Sequence, residues 1–412
     1  MEYRQEIQPL AFFEALDTWT SVVGPENIVR AEEDLGPFNN NTFVADSEVL
    51  AVVYPQTTEE VSQCMKIANI YNIEVYAISR GKNYGLGSKL PPKGKCILME
   101  LSRMNKILEL NEELAYVVLE PGVSFDQLHK FLEEKDSNLM MDSIGSTKNA
   151  SIVGNLAERG HGMALYADRM NFVCNFEVVL PTGEILHTSF DNQAGHTHKW
   201  GIGPLLNGLF TQSNLGIITK LTLWLHPKSE LFESFIFYVK DNKMLGKAMA
   251  CIRDLKLQGV QMSLRIFNDL RMISFYQNYP WEMMKGETPL SDDVRHFLKE
   301  KYNIEGKWVG LGAIYPFSEL HGQAERAYIK EKMAPYVSDL EFINQDSIVM
   351  AKLRGEEEEL SKVQMLYSKS LLRGFVSDQA LNMCYWRKKE VPVQKNIHRD
   401  NCGVLWFCPV VP

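Results

Sequence analysis

Nine residues constrain this chain more than any others: Ser79-Arg-Gly-Lys-Asn-Tyr-Gly-Leu-Gly87. They follow an apolar run, Ile73-Glu-Val-Tyr-Ala-Ile78, that reads as a strand. Three glycines, Gly81, Gly85 and Gly87, let the backbone turn tightly and approach a ligand closely. Arg80 and Lys82 bring positive charge. Successive N–H groups in such a turn form an anion-binding nest, for which a diphosphate is the natural guest. A solvated surface loop carrying two cations is the plainer reading of the same residues. The neighbouring segments decide between the two.

Upstream, Val49-Leu-Ala-Val-Val-Tyr54 reads as a buried strand closed by Pro55. Thr57 and Glu60 form a capping box, and Val61, Cys64, Met65, Ala68 and Tyr71 recur at helical steps. The local architecture is therefore strand–helix–strand, with the glycine-rich loop at the carboxyl end of the second strand, where ligands gather in α/β sheets. Downstream, Cys96–Leu101 and Ala115–Leu119 read as strands. Ser124 and Gln127 make a second capping box that opens a helix to about Glu134. A polar loop, Ser143–Ser151, leads into Ile152-Val-Gly-Asn-Leu-Ala-Glu-Arg-Gly160. Phe176–Leu180 and Glu184–Thr188 flank Pro181-Thr-Gly183 as a hairpin. Gly216 opens a strand with Ile218, Leu221, Leu223 and Leu225. Past His226-Pro227-Lys228, strands and helices alternate more loosely (Phe235–Tyr238, Ala248–Leu257, Tyr328–Val337), an α+β pattern.

A chain of 412 residues is too long for one ordinary core, so two domains are expected. A formal net charge of −9 argues against nucleic acid and anionic membrane surfaces as partners. No apolar run reaches the roughly 20 residues of a membrane span. The start, Met-Glu-Tyr-Arg-Gln-Glu-Ile, is acidic where a signal peptide needs a basic residue and an apolar core, which predicts a cytoplasmic protein. The seven cysteines form no Cys-x-x-Cys and read as small buried apolar residues rather than disulfides.

Three segments, Ser79–Gly87, Gly154–Gly160 and Gly208–Lys220, in this order and spacing resemble the vanillyl-alcohol oxidase / p-cresol methylhydroxylase family of FAD-linked oxidases. Tyr54-Pro-Gln-Thr-Thr-Glu-Glu-Val61, Glu120-Pro-Gly-Val123 and Val178-Val-Leu-Pro-Thr-Gly183 add to the likeness. The resemblance implies an α+β protein: a two-subdomain FAD-binding domain over residues 1–226 and an α+β cap over the flavin ring from residue 227 to 412. It implies that FAD lies along Ser79, Arg80, Gly81, Lys82, Asn83, Tyr84 and Gly85, with the diphosphate in that loop. Ser146, Ser151, Gly154, Asn155, Arg159, Gly160, Gly216, Ile217 and Ile218 would line the rest. Leu86 and Met163 stand where phenol-oxidising members carry tyrosines, and Ser146 where they carry an aspartate near the flavin. Without those tyrosines the donors for a phenolate are gone, so a simple para-alkylphenol is not the expected substrate.

The segment Cys402–Pro412 resembles a strand in the middle of the family's cap, beyond which members normally continue. The expectation is a homo-oligomer, or a second polypeptide that supplies the remainder, with Val404-Leu-Trp-Phe407 seeking a partner. Among single residues, Ser146 and His161 are the catalytic candidates. His161 is open between a general base and a hydrogen-bonded structural histidine. Arg159 is open between a cofactor contact and a salt bridge to Glu158 or Asp168; Tyr84 and Tyr166 are open between pocket and packing. His196 and His198 lack the further ligands a metal requires. The leading reading is an FAD-dependent oxidoreductase that takes a hydride from an activated carbon of a small aromatic or acyl-bearing substrate. The alternatives are a flavin-dependent oxidative decarboxylase or desaturase of a larger metabolite, and a partner-dependent FAD-binding subunit without turnover.

Overall fold

The computed structural model describes residues 9–39, 46–82, 89–91, 93–190, 197–229, 231–287, 289–343, 371–376 and 378. Asn83, Tyr84, Gly85 and Leu86 lie outside the described residues, as do His196 and the segment from Cys402 to Pro412.

The chain opens with α1 (Pro9–Val23), β1 (Ile28–Val29), β2 (Asp46–Val53), α2 (Thr58–Tyr71), β3 (Val75–Ile78) and β4 (Lys93–Glu100). The sheet order is β1-β2-β4-β3; β2 and β3 both run parallel to β4. The strand–helix–strand unit expected from the sequence is thus present, and Ser79 leaves β3 at its carboxyl end. Thr57 caps α2 by accepting the N–H of Glu60 at 3.1 Å, while Glu60 turns back to accept the N–H of Gln56 at 2.7 Å. Reciprocity therefore lands one residue earlier than a capping box predicts. One face of α2 buries Val61, Cys64, Ile67 and Ala68 against Ala51, Val53, Ile97 and Met99. Trp19 donates to the Cys64 carbonyl at 3.0 Å and fastens α1 onto that helix.

Next come β5 (Ile107–Asn111), β6 (Tyr116–Leu119), α3 (Phe125–Glu134), β7 (Leu139–Met140), α4 (Ile152–Ala157), β8 (Val173–Val179), β9 (Ile185–His187), β10 (Ile217–Trp224) and β11 (His226–Pro227). Five of these strands form an antiparallel sheet, β5-β6-β10-β8-β9, and β11 pairs with β7. The β8–β9 hairpin turns through Gly183, whose φ of 85° is a conformation that favours glycine. Ser124 caps α3, but the Gln127 side chain donates to the Asn105 carbonyl instead of returning to Ser124, so only half of that expected box forms. Buried Glu177 joins the two sheets: it accepts from Thr58 of α2 at 2.6 Å, from Thr219 at 2.9 Å and from Lys220 at 2.7 Å.

The remaining elements are β12 (Glu233–Val239), α5 (Asn242–Leu257), β13 (Met262–Asn268), α6 (Asp269–Tyr276), α7 (Asp292–Lys301), β14 (Trp308–Ile314), α8 (Glu319–Met333) and β15 (Ser338–Ile343). They form an antiparallel sheet of order β13-β14-β12-β15. Tyr328–Val337 is therefore not one element: α8 ends at Met333 before the turn into β15. On one face Phe235 and Phe237 pack with Ala248, Ile252 and Ile329. Across the sheet these rings oppose Gly312 and Gly310, where a Cβ would sit 2.4 Å and 2.1 Å from ring carbons, so the glycines make room for them. The other face packs Val309, Leu311 and Ala313 with Ile273 and Leu298, and the same cluster includes Ala164 and Leu371. That shared cluster joins the third sheet to the turn that follows Gly160. Among the described residues no helix is long and apolar enough to cross a membrane. Cys64, Cys96 and Cys174 are free and buried, and burial pushes each thiol up to about 12.

Candidate functional site

Three stretches far apart in sequence meet beside the end of β3. A Cβ placed on Gly154 would stand 2.9 Å from the Ser79 hydroxyl and 3.4 Å from the Ser151 Cβ, so Gly154 is the point where the first and second stretches close on each other. Ser151 caps α4 by accepting the Gly154 N–H at 2.8 Å, and its hydroxyl donates to the Pro121 carbonyl at 2.6 Å. The third stretch is tied to the far end of the second. The Gln212 N–H donates to the Ala157 carbonyl at 2.8 Å, and Arg159 donates through Nε to the Thr211 hydroxyl at 3.0 Å. Gly216 follows, with no room for a Cβ against Val178, and then Ile217 and Ile218 enter β10 as buried residues.

The second stretch is locked from beneath by Arg169, which is buried to 1 % exposure. Its guanidinium donates to Asn155 Oδ1 at 2.7 Å, the Gly160 carbonyl at 3.3 Å, the Asp142 carbonyl at 3.2 Å and the Ser143 carbonyl. It also lies 4.9 Å from the Phe125 ring centre. Burial lowers its pKa to about 10, still charged at neutral pH. Asp142, equally buried, accepts through Oδ1 the N–H groups of Met163 and Ala164 at 3.1 and 2.9 Å. Burial raises the Asp142 pKa against the pull of Arg169 and of those two N–H groups. A Cβ on Gly162 would press to 2.7 Å from the Asp142 carboxyl carbon, so the Gly160–Met163 turn rests directly on that carboxylate.

Above this turn an accessible face forms. The Met163 side chain lies over Gly145, where a Cβ would meet its Sδ at 3.0 Å, next to half-buried Ser146. From the third sheet, Ser263 donates to the Met163 carbonyl at 2.7 Å and Arg265 to the Gly162 carbonyl; Arg265 also stands 3.8 Å from Met163 Sδ. His161 stands on the same turn with its ring half covered and the rest of the residue in solvent. Burial of its ring, then the charge of Arg265, lowers its pKa, so it is neutral at pH 7. A cavity of about 580 Å³ adjoins the turn, lined by Ala164, Leu165, Tyr166, Phe232 and Tyr315 among others.

Residues 49–189 match the family model described as an FAD binding domain. The chain is 39 % identical to 1'-carboxy-chondrochloren decarboxylase of Chondromyces crocatus over 98 % of its own length and 76 % of that protein. It is 27 % identical to the 4-cresol dehydrogenase (hydroxylating) flavoprotein subunit of Pseudomonas putida, over 97 % of this chain and 73 % of that one. The crystal structure of p-cresol methylhydroxylase with substrate bound superposes with a TM-score of 0.82 at 25 % identity, covering 92 % of this chain and 73 % of that one. The chain belongs to the vanillyl-alcohol oxidase / p-cresol methylhydroxylase family. Like the family, it is an FAD-dependent oxidoreductase with a mixed helix-and-sheet fold.

The described part of the meeting point fits FAD by its shape and its donors. Ser79, Arg80 and Gly81 are half-buried and Lys82 exposed; Gly154, Asn155 and Gly160 are half-buried beside them. A side chain at Gly154 would press on Ser79, and one at Gly160 on the Asn155 side chain. Hydroxyls, backbone amides and one exposed ammonium are the groups an uncharged ribityl chain and a diphosphate need. Arg80 is placed differently from its sequence-level reading as a charge for the loop. Its Nε donates to the Asn149 carbonyl at 2.8 Å and its Nη1 to the Gly122 carbonyl at 3.0 Å, so it braces the loop to its neighbours. Arg159 pairs with Thr211 and not with Glu158 or Asp168. Tyr166 stacks on His226 with ring centres 3.7 Å apart and lines the cavity. Sequence reasoning missed Asp142, Arg169 and Arg265. Nothing in the spacing of Asp142 and Arg169 marks them, and Arg265 arrives from a strand about a hundred residues later.

Proposed function

We propose that this enzyme removes a hydride from an activated carbon of a small aromatic or acyl-bearing substrate. The observation that supports this most strongly is the meeting of Ser79 with Gly154 and of Gln212 with Ala157, which links three glycine-bearing stretches. FAD, when bound, supplies the two-electron acceptor. In this reading Ser79, Gly81, Lys82, Ser151, Gly154, Asn155 and Gly160 lie along the cofactor, and Arg169 fixes their backbone from below. Ser146 and Met163 face the substrate. Met163 offers an apolar wall with no proton to donate. His161, neutral at pH 7, is available to accept a proton. Anaerobic spectroscopy tests the reading: the purified protein is expected to be yellow and to bleach when a true substrate is added. A colourless protein that takes up no FAD ends it.

A second reading, oxidative decarboxylation of a larger metabolite, is favoured by the decarboxylase relative and by Met163 standing in place of a donor. Carboxylated substrates tested beside 4-alkylphenols separate the two, since clean turnover of the alkylphenols removes the second. A homo-oligomer or a second polypeptide, in the cytosol, completes the proposal; mass measurement of the purified complex decides that part.

A further inference from the structure

Arg265 is a cation whose direct hydrogen-bond partners are all uncharged. It lies on β13, an edge strand, two residues from Ser263, so both side chains project from the same face of the sheet. Both reach the Gly160–Met163 turn. Its Nη1 donates to the Leu264 carbonyl at 2.8 Å and its Nη2 to the Gly162 carbonyl. Both acceptors are neutral. Among the described residues no carboxylate stands within ion-pair distance of it. A guanidinium carries five N–H donors in a planar fork that matches a carboxylate.

The nearest buried acid attracts Arg265 without pairing with it: Asp142 spends Oδ1 on the amides of Met163 and Ala164, and its Oδ2, with no hydrogen-bond partner among the described residues, packs behind Gly162. The remaining charged groups that face Arg265 are positive. Arg169 lies behind the turn, and Lys256, at the end of α5, has its pKa lowered by burial and then by Arg265. His161 adds a group that turns positive only in acid. Arg265 and Lys256 thus bring positive charge to one accessible face of a chain whose net charge is −9. The apolar partner at that face is the Met163 side chain, 3.8 Å from the guanidinium and lying over Gly145 beside Ser146.

We propose that Arg265 determines substrate specificity by binding a carboxylate, so that the enzyme selects aromatic or acyl substrates that carry a free acid, with their apolar part against Met163. The assignment concerns binding and rests on the FAD-enzyme reading above. The recognition element comes from the third sheet and not from the glycine-bearing stretches. It therefore varies independently of cofactor binding.

The test uses the FAD-loaded full chain and two matched pairs: 4-hydroxyphenylacetate with 4-hydroxyphenylacetamide, and 4-hydroxyphenylpropanoate with its amide. Dissociation constants come from perturbation of the flavin spectrum and, independently, from thermal shift. The unmodified enzyme is expected to bind at least one acid about 10-fold or more tighter than its amide. In Arg265→Gln that preference should vanish through an acid-specific loss of about 10- to 100-fold, the range for a hydrogen bond to a charged group. Amide binding and FAD content should stay within about 3-fold. Arg265→Lys should recover part of the preference. A yellow protein that binds the amides as well as the acids, or binds neither pair, overturns the assignment, and so does an equal loss for acid and amide in Arg265→Gln. A change confined to the flavin's reduction potential would assign Arg265 to the cofactor and also overturn it. A colourless protein would instead remove the underlying FAD reading.

Discussion

Replacing Gly160 by alanine should damage the cofactor strip through one side chain. The three heavy atoms nearest to a Cβ at that position are Asn155 Nδ2 at 2.2 Å, Cγ at 2.5 Å and Oδ1 at 2.6 Å. Asn155 must leave, and its Oδ1 is the 2.7 Å acceptor of Arg169. A lost hydrogen bond to a buried charged group costs about 1.5–3 kcal/mol. Gly160→Ala should therefore destabilise by about 2–3 kcal/mol, and Asn155→Ala by a similar amount. Once Asn155→Ala has removed the obstructing atoms, adding Gly160→Ala should cost less than about 0.5 kcal/mol. The cycle predicts an interaction of about 2 kcal/mol. Urea unfolding of the four FAD-loaded proteins measures it, through midpoints at unchanged slope. Simple additivity of the two substitutions would refute the claim that Asn155 fills the space over Gly160 and carries the link to Arg169.

Burial drops the His226 pKa to about 4 from an ordinary 6.5, so the folded state resists a proton that the unfolded state accepts. Stability should be full above pH 6.5 and fall toward pH 4, by about 3 kcal/mol at about 1.4 kcal/mol per unit. His226→Phe, which keeps the stack on Tyr166, should remove that slope from a pH series of unfolding midpoints. Glu177 behaves in the opposite structural sense. Burial raises its pKa, but the hydrogen bonds from Lys220, Thr58 and Thr219 outweigh that and hold it below 4.5. The advantage of the unmodified protein over Glu177→Gln should therefore be full above pH 4.5 and shrink as pH falls below it. Gly310→Ala would set a Cβ 2.1 Å from the Phe237 ring and should cost about 1–3 kcal/mol, seen as a lower Tm with flavin binding intact.

What the sequence made legible was whatever rests on local chemistry. Thr57 and Ser124 read as helix caps because a hydroxyl at the N-terminus has one obvious use, and each caps its helix; the cap at Ser151 went unread. Short apolar runs marked β2, β4, β6 and β8, alternation after Gly216 marked β10, and Pro181-Thr-Gly183 marked the hairpin. The co-location of the three glycine-bearing stretches was carried by resemblance, since no periodicity tells Gly154 that Ser79 will lie against it. Side-chain partners chosen by tertiary packing were not legible. Arg80 looked like a phosphate cation and became a brace for Asn149 and Gly122, because those carbonyls come from loops brought in by β6 and α4. Arg169 and Asp142 are 27 residues apart and meet only after the chain has turned through α4. Arg265 waits on the docking of a third sheet.

Hydrogen–deuterium exchange on the FAD-free and FAD-loaded protein tests the central claim most directly. Cofactor binding should protect three separated stretches together, residues 79–82, 151–160 and 211–218, while β12 and β14 in the third sheet exchange at unchanged rates. Protection confined to one of those stretches, or centred on the third sheet, would contradict the account.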